Sequence, residues 1–336
     1  MVGKVWVIPS GSKKPTDARV RSDYFSRADV RPFVKWVGGK GQLLPVISNS
    51  LPKEIGKTIN RYVEPFVGGG AVLFNMVNKY HFEEVYISDI NRELIWTYET
   101  IRDNVEELVE LLTEYEKDHI SKDTDGRKEY YYTLREKYND NKMSQSPDTV
   151  LNSALFIYLN KTCFNGLYRV NKKGLFNVPS GVYKKPTICD KNNLYNVSSK
   201  LSNVIIKCAD YHLSEKYADE NTMVYFDPPY RPLNISSSFT SYTELSFNDD
   251  DQIALSEYVH KLSNKGAFIA LSNSDPKNTN PNDNFFDDLY KDMHVNRISA
   301  SRMINSKADG RGKINEILVT NYPLTHGECN IDLYSN

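Results

Sequence analysis

Alternation of apolar and polar residues is weak up to about residue 30, where Ser, Arg and Lys interrupt every apolar run. Residues 1–30 therefore read as an N-terminal arm. A stronger rhythm starts near Phe33. KGQLLPVISNSLP has helical spacing and stops before Pro52, INRYVEPF reads as a strand, and GGGAVLFNMVNKY as a glycine turn opening a helix. EVYISDI is a second strand, and NRELIWTYETIRDNVEELVELLTEYEKDHI carries an apolar face at helical period. Strand, turn, helix, strand is a βαβ unit and predicts a parallel sheet.

Residues 93–200 break this alternation. Helical patterns over 127–139 and 147–163 lead into CFNGLYRVNKKGLFNVPSGVYKKP, where YRV and LFNV flank NKKG, a β-hairpin signature. Alternation then returns: NVIIKCAD, TMVYFD, GAFIALS, MHVNRIS and KINEILVTNY read as strands. NDDDQIALSEYVHKLSNK reads as a helix capped by Asn248 with acids in its first turn. SNSDPKNTNPNDN, residues 272–284, reads as a polar loop broken by prolines. The pattern predicts one α/β domain made of residues 31–92 and 201–336. It is interrupted by a mostly helical insertion, residues 93–200, that carries the hairpin.

Composition narrows the classes. With 336 residues, 40% apolar and 25% charged, the chain has the makeup of a globular protein with a large core. No apolar run approaches the roughly 20 residues of a membrane span, and the start lacks a secretory apolar segment. A cytoplasmic protein without a membrane partner is expected. Cys163, Cys189, Cys208 and Cys329 lie far apart and form no CxxC pair, so they read as reduced thiols with no metal. The net charge is −1, but Lys161, Arg169, Lys172, Lys173, Lys184 and Lys185 fall in one block that holds no acid. A basic block on a mildly acidic chain is the footprint of a polyanion-binding face, although a solvated loop would carry the same charge. Arg297, Arg302, Lys307, Arg311 and Lys313 read as a solvated edge.

Two stretches carry candidate chemistry. EPFVGGGAV puts Gly68, Gly69 and Gly70 where a strand turns into a helix, and Asp89 ends the next strand 19 residues after Gly70. Glycines let a ligand approach the backbone, and an acid at this spacing accepts hydrogen bonds from ribose hydroxyls. The turn is not GxGxxG and there is no GxxxxGK[ST], so the spacing indicates a nucleoside without choosing one. Asp89 would serve equally as a cap for the following helix. In VYFDPPY, residues 224–230, a buried strand runs into Asp227, Pro228, Pro229 and Tyr230. Prolines fix φ and remove donors, so the Asp227 carboxylate and the Pro228 carbonyl are stiffly held acceptors beside an aromatic ring. Such a pair suits a planar heteroaromatic –NH2. Accepting both hydrogens frees a nitrogen lone pair otherwise delocalised into the ring. The group attacked must be a strong electrophile, such as a sulfonium methyl.

KWVGGK (35–40), EPFVGGG, ISDIN (87–91), Cys208–Tyr211 and DPPY, in this order, resemble the DNA adenine-N6 methyltransferases of the bacterial Dam type, from about Phe33 to Tyr322. The likeness includes FNGLYR, FNVPSG and YKKP in the insertion. It implies a Rossmann-like, S-adenosylmethionine-dependent methyltransferase sheet with a target-recognition insertion. It further implies methyl transfer to adenine N6 in duplex DNA by base flipping, with GATC as the leading target. By this resemblance Trp36 and Lys40 close over S-adenosylmethionine, Phe66, Gly68 and Gly70 contact it, and Glu64 sits beside them. Asp89 holds the ribose, and Asp210 and Tyr211 face the cofactor adenine. Asp227 and Pro228 are the catalytic acceptors, Asp227 also bordering the cofactor, and Tyr230 stacks on the target base. Arg169 reads a guanine, with Asn165 and Leu167 in the same hairpin, and Lys35 and Tyr183 read the outer guanine. The loop after DPPY, residues 231–243, would order on the displaced strand. A restriction–modification system, with a cognate endonuclease that forms no stable complex, and a solitary methylase are both compatible; oligomeric state is left open.

Other readings remain at this stage. Cytosine-N4 methylation would use the same acceptors, though SPPY is commoner there. Glutamine methylation of a protein uses NPPY and leaves the basic hairpin unexplained. A zinc deaminase needs HxE and PCxxC ligands, which are absent. A DNA-binding module without catalysis would not need an intact Asp227. Trp36 would also serve as a core aromatic, Lys40 as a helix-surface cation and Arg169 as a phosphate contact.

Overall fold

The computed structural model describes residues 29–231, 247–301 and 313–324. Its centre is a seven-stranded sheet in the order β3-β2-β1-β4-β5-β7-β6. The strands are β1 (Arg61–Glu64), β2 (Glu84–Asp89), β3 (Val204–Cys208), β4 (Thr222–Phe226), β5 (Phe268–Ser274), β6 (His294–Ser301) and β7 (Lys313–Thr320). β1 to β5 run parallel, and β7 lies antiparallel between β5 and β6. This is a Rossmann-like sheet with an antiparallel pair at one edge.

β4 is buried along its whole length, as a strand covered on both faces must be. Its neighbours in sequence enter opposite cores: Met223 and Tyr225 pack on one face of the sheet, Val224 and Phe226 on the other. The order reverses between β1 and β4, since β2 and β3 lie outward of one and β5 outward of the other. Ligands of open α/β sheets bind outside the carboxyl ends at such a switch point. Glu64 and Asp227 lie at that rim.

The helices described are α1 (Leu44–Asn49), α2 (Ala71–Lys79), α3 (Arg92–Asp103), α4 (Val105–Ser121), α5 (Thr124–Met143), α6 (Thr149–Thr162), α7 (Lys191–Leu201), α8 (Asp249–Asn264) and α9 (Phe285–Leu289). α5 and α6 are the two helices expected near 127–139 and 147–163, each with slightly different ends. α3 packs on β2 and β3 and also on α6, joining the sheet to the helical insertion. Asn248 caps α8 in a reciprocal box with Asp251. No helix among the described residues is long and apolar enough to cross a membrane.

Two expectations change. Residues 272–284 are not loop throughout: Ser272, Asn273 and Ser274 finish β5 and are buried, because their polar groups find partners inside. The hairpin is looser than a two-stranded ladder. Val170 and Phe176 form one isolated antiparallel bridge, and Asn171 and Gly174 close the turn. Asn139 of α5 takes over part of the pairing, exchanging two hydrogen bonds with the Phe176 backbone at 2.8 and 3.1 Å.

Candidate active site

The rim is built from strand ends. Gly68 and Gly70 have φ of 48° and 74°, the left-handed region that glycine adopts without strain. A Cβ on Gly68 or Gly69 would lie 2.8 or 2.9 Å from Trp36, so the indole is seated on the turn's backbone. Tyr98 donates to the Gly68 carbonyl at 3.0 Å and blocks any side chain at Gly70. Asp89 accepts from the Gly68 N–H at 3.1 Å and the Asn91 N–H at 2.9 Å. Burial pushes its carboxyl up and these donors pull it back. The cap of α3 is Asn91, whose side chain accepts from Leu94, and not Asp89. Phe66 packs on Tyr211 at 5.5 Å, and Tyr211 stacks on His212 at 4.1 Å. Asp210 is exposed, accepts from the His212 N–H at 3.0 Å and also meets the His212 imidazole.

The DPPY segment meets this turn through a pairing that the sequence did not suggest. Lys40 Nζ lies 2.6 Å from Asp227 Oδ1, donates to the Gly38 carbonyl at 2.8 Å and stands 4.5 Å from the centre of the Tyr230 ring. Lys40 is therefore a buried cation at the rim, not a helix-surface one. About a fifth of the Asp227 side chain (21%) reaches solvent. Burial raises its pKa to about 6; Lys40 opposes the shift and Glu316 adds to it. Glu64 is buried, accepts from the Tyr62 hydroxyl at 2.7 Å, and is held well above the ordinary carboxylate range chiefly by burial. The Tyr230 hydroxyl donates to Glu316 on β7. Among the described residues nothing donates to the Pro228 carbonyl.

A second layer fixes the backbone on both sides of Tyr230. Gln252 donates to the Pro229 carbonyl at 3.0 Å and accepts from Asn273 at 3.1 Å. Asn273 accepts from the Arg231 N–H at 3.2 Å, and Ser274 donates to the Arg231 carbonyl at 3.0 Å. Arg231 forks onto Asp249 at 2.7 and 2.9 Å and reaches Asp283 at 2.8 Å. Sequence reasoning missed Gln252, Asn273 and Glu316. A signal existed for the first: Gln252 lies on the stripe of α8 that also carries Leu255, Val259 and Leu262, where an apolar residue is expected. Apart from Arg231, the loop 231–243 lies outside the described residues.

The residues singled out as DNA readers form two groups, one around Lys35, which precedes β1, and one on the hairpin. Lys35 Nζ stands 5.0 Å from the Tyr183 ring centre, and the Lys35 side chain packs against Gly166. Asn160 of α6 clamps this corner: it accepts from the Lys35 N–H at 2.8 Å and donates to the carbonyls of Lys35 and Gly166 at 2.8 and 3.0 Å. Asn165 has φ of 57°, alone among the described non-glycine residues in being left-handed. Leu167 packs against the core, and its carbonyl lies 3.3 Å from the Cys163 thiol. Arg169 is exposed on the hairpin and bonds the Asn177 side chain at 2.7 Å. Of the second basic group, Arg297 is exposed on the edge strand β6, where it is ion-paired to Asp275 and Asp287. Arg302, Lys307 and Arg311 lie outside the described residues. No group of three metal-ligating side chains is present among the described residues.

The rim fits a nucleoside cofactor. Its glycine turn leaves no room for a Cβ, the acid ending β2 is fixed by two backbone donors, and an aromatic ring and an exposed acid follow β3. Residues 36–304 match the family described as D12 class N6 adenine-specific DNA methyltransferase. The chain is 50% identical to Type II methyltransferase M.MjaIII of Methanocaldococcus jannaschii, over 88% of this chain and 100% of that one. It is 41% identical to Type II methyltransferase M1.LlaDCHI of Lactococcus lactis subsp. cremoris, over 88% and 97%. It is 34% identical to the DNA adenine methylase of Escherichia coli (strain K12), over 87% and 96%.

Proposed function

Because this chain belongs to the D12 class of N6 adenine-specific DNA methyltransferases, we propose that it methylates adenine within GATC in duplex DNA, on a base turned out of the helix. Adenine-specific DNA methyl transfer follows from the family, and the family implies S-adenosylmethionine as donor. The site, the target and the setting are our reading. Its main support is that Asp227 and the Pro228 carbonyl sit at the sheet's switch point, on a backbone braced by Gln252 and Asn273.

Trp36, Lys40, Phe66, Gly68, Gly70 and Asp89 would hold the cofactor, with Glu64, Asp210, Tyr211 and Asp227 bordering it. When bound it supplies a methyl group on a positively charged sulfur. Asp227 and Pro228 accept the two hydrogens of the adenine amine and so free its lone pair. Tyr230 stacks on the base, its hydroxyl anchored by Glu316. Lys40 balances the Asp227 charge and keeps the carboxylate ionised against burial. Within a duplex the amine cannot reach this rim, so the adenine must leave the stack. Lys35, Asn165, Leu167, Arg169 and Tyr183 face the DNA, with Arg169 on a guanine edge. The catalytic domain comprises residues 31–92 and 201–336, and the target-recognition insertion 93–200. The setting is a restriction–modification system with a cognate endonuclease, or a solitary methylase; relatives named Type II methyltransferase and DNA adenine methylase are both similar to this chain.

Incubating plasmid DNA with the protein and S-adenosylmethionine, then mapping modified bases by single-molecule sequencing, tests the reading. Modification confined to adenine in GATC is expected. Modified adenines elsewhere would overturn the target, and modified cytosines the chemistry.

A further inference from the structure

Between the glycine turn and the hairpin stands one aromatic stack. Trp36, seated on Gly68 and Gly69, lies against Tyr168 with ring centroids 5.7 Å apart and planes 26° apart. Tyr168 immediately precedes Arg169, the exposed arginine of the hairpin. Its hydroxyl is held from two sides: it donates to Glu93 at 3.2 Å and accepts from Lys142 at 3.3 Å. Glu93 and Lys142 are themselves ion-paired at 2.8 Å, and only 11% and 14% of their side chains are exposed. Glu93 lies in the first turn of α3, four residues after Asp89; Lys142 lies in the last turn of α5, the helix that holds the hairpin's Phe176. The stack thus joins the two halves of the proposed site through groups whose positions are set by fixed helices.

We propose that Tyr168 is a positioning residue that couples DNA reading to cofactor binding, its ring setting the Trp36 indole against the glycine turn. The proposal rests on the function given above. A hairpin drawn onto its target moves Tyr168, and Tyr168 can move little without moving Trp36. By linkage the effect is reciprocal: cofactor seated under Trp36 favours the hairpin position that reads DNA. Glu93 and Lys142 stiffen the coupling, since an ion pair between two helices holds the Tyr168 hydroxyl from both sides.

The test is titration of the full chain with S-adenosylhomocysteine, alone and with two duplexes. One duplex carries the site found by plasmid mapping and the other lacks it. Wild type is expected to bind at least about fivefold tighter on the first duplex than on the second, the lower end of usual coupling. Tyr168→Leu should bring that ratio below about twofold. Tyr168→Phe keeps the ring and should retain the ratio. Trp36→Leu removes the other half of the stack and should abolish the ratio even if Tyr168→Leu does not fold. A wild-type ratio of one, or an undiminished ratio in either leucine variant, overturns the proposal. Failure of the function itself would show separately, as absence of modified adenine in wild-type plasmid mapping.

Discussion

The sheet rim and the tip of the insertion hold their polar side chains in opposite ways. At the rim, Lys40, Glu64, Gln252 and Asn273 are all buried, and each is bonded to another group of the same cluster or to the backbone. On and beside the insertion, Lys35 and Arg169 are exposed, and what is anchored is nearby backbone: buried Asn160 holds Lys35 and Gly166, and half-buried Asn139 holds Phe176 of the hairpin. The proposed function accounts for the difference. Stabilising a developing charge needs acceptors fixed before the reaction, in a site that excludes water. Reading a base edge needs free donors at a surface, with only their base fixed. On the proposed function, one molecule would use dense packing for the chemistry and sparser anchoring for reading.

The sharpest way to break that contrast is Asp227→Ala. It removes a fixed acceptor and leaves Lys40 a buried cation without its partner. Transfer should fall by at least about a thousandfold, the upper range for loss of one oxyanion-type group, while duplex affinity changes little. A variant that still turned over at a tenth of the wild-type rate in a methyl-incorporation assay would show that the rim is not where the chemistry occurs.

Gln252→Ala tests whether the second layer matters. Gln252 touches no proposed ligand; it holds the Pro229 carbonyl and Asn273. A displacement of about 1 Å at a reacting group costs on the order of a hundredfold, so kcat should fall about ten- to a hundredfold with KM for the cofactor unchanged. A change confined to thermal stability would make the brace merely structural. At the insertion, Arg169→Ala is expected to weaken discrimination at one base pair by about 1–3 kcal/mol and to leave kcat on the best site nearly intact. Uniform weakening across all sequences would instead mark Arg169 as a phosphate contact.

How much of this was legible follows the same division. The βαβ rhythm, the glycine turn and the proline-stiffened acid were readable because backbone restrictions leave their mark in single residue types. The parallel sheet forms where the apolar runs predict it. Long-range partnerships left no such mark. Nothing in the spacing of Lys40 and Asp227, or of Tyr230 and Glu316, says that they meet. The hairpin reads as two short β-runs around a turn, but it pairs mainly through one bridge and through Asn139, because a helix competes for its backbone groups. Tyr168 looks like an ordinary aromatic in sequence, and only its place between Trp36 and Glu93 gives it a role.

The mildest perturbation is pH, and it separates the two regions without a mutation. Asp227 has its pKa raised from 3.8 to about 6, through burial opposed by Lys40. Ionised acceptor is needed at the rim, so kcat/KM should fall as pH drops and reach half its plateau near the pKa of the free enzyme. Lys40→Met removes the opposing charge, so the acid limb should move to higher pH. Stability should run the other way. Between 3.8 and about 6 the folded protein holds a proton on Asp227 that the unfolded chain releases, so this group's contribution declines as pH rises through that window. DNA affinity measured without cofactor should not follow the same limb, because Asp227 lies at the rim and the exposed readers do not depend on it. An affinity profile that tracked the rate profile would mean that the rim takes part in holding the duplex, and that the two regions are less separate than their packing implies.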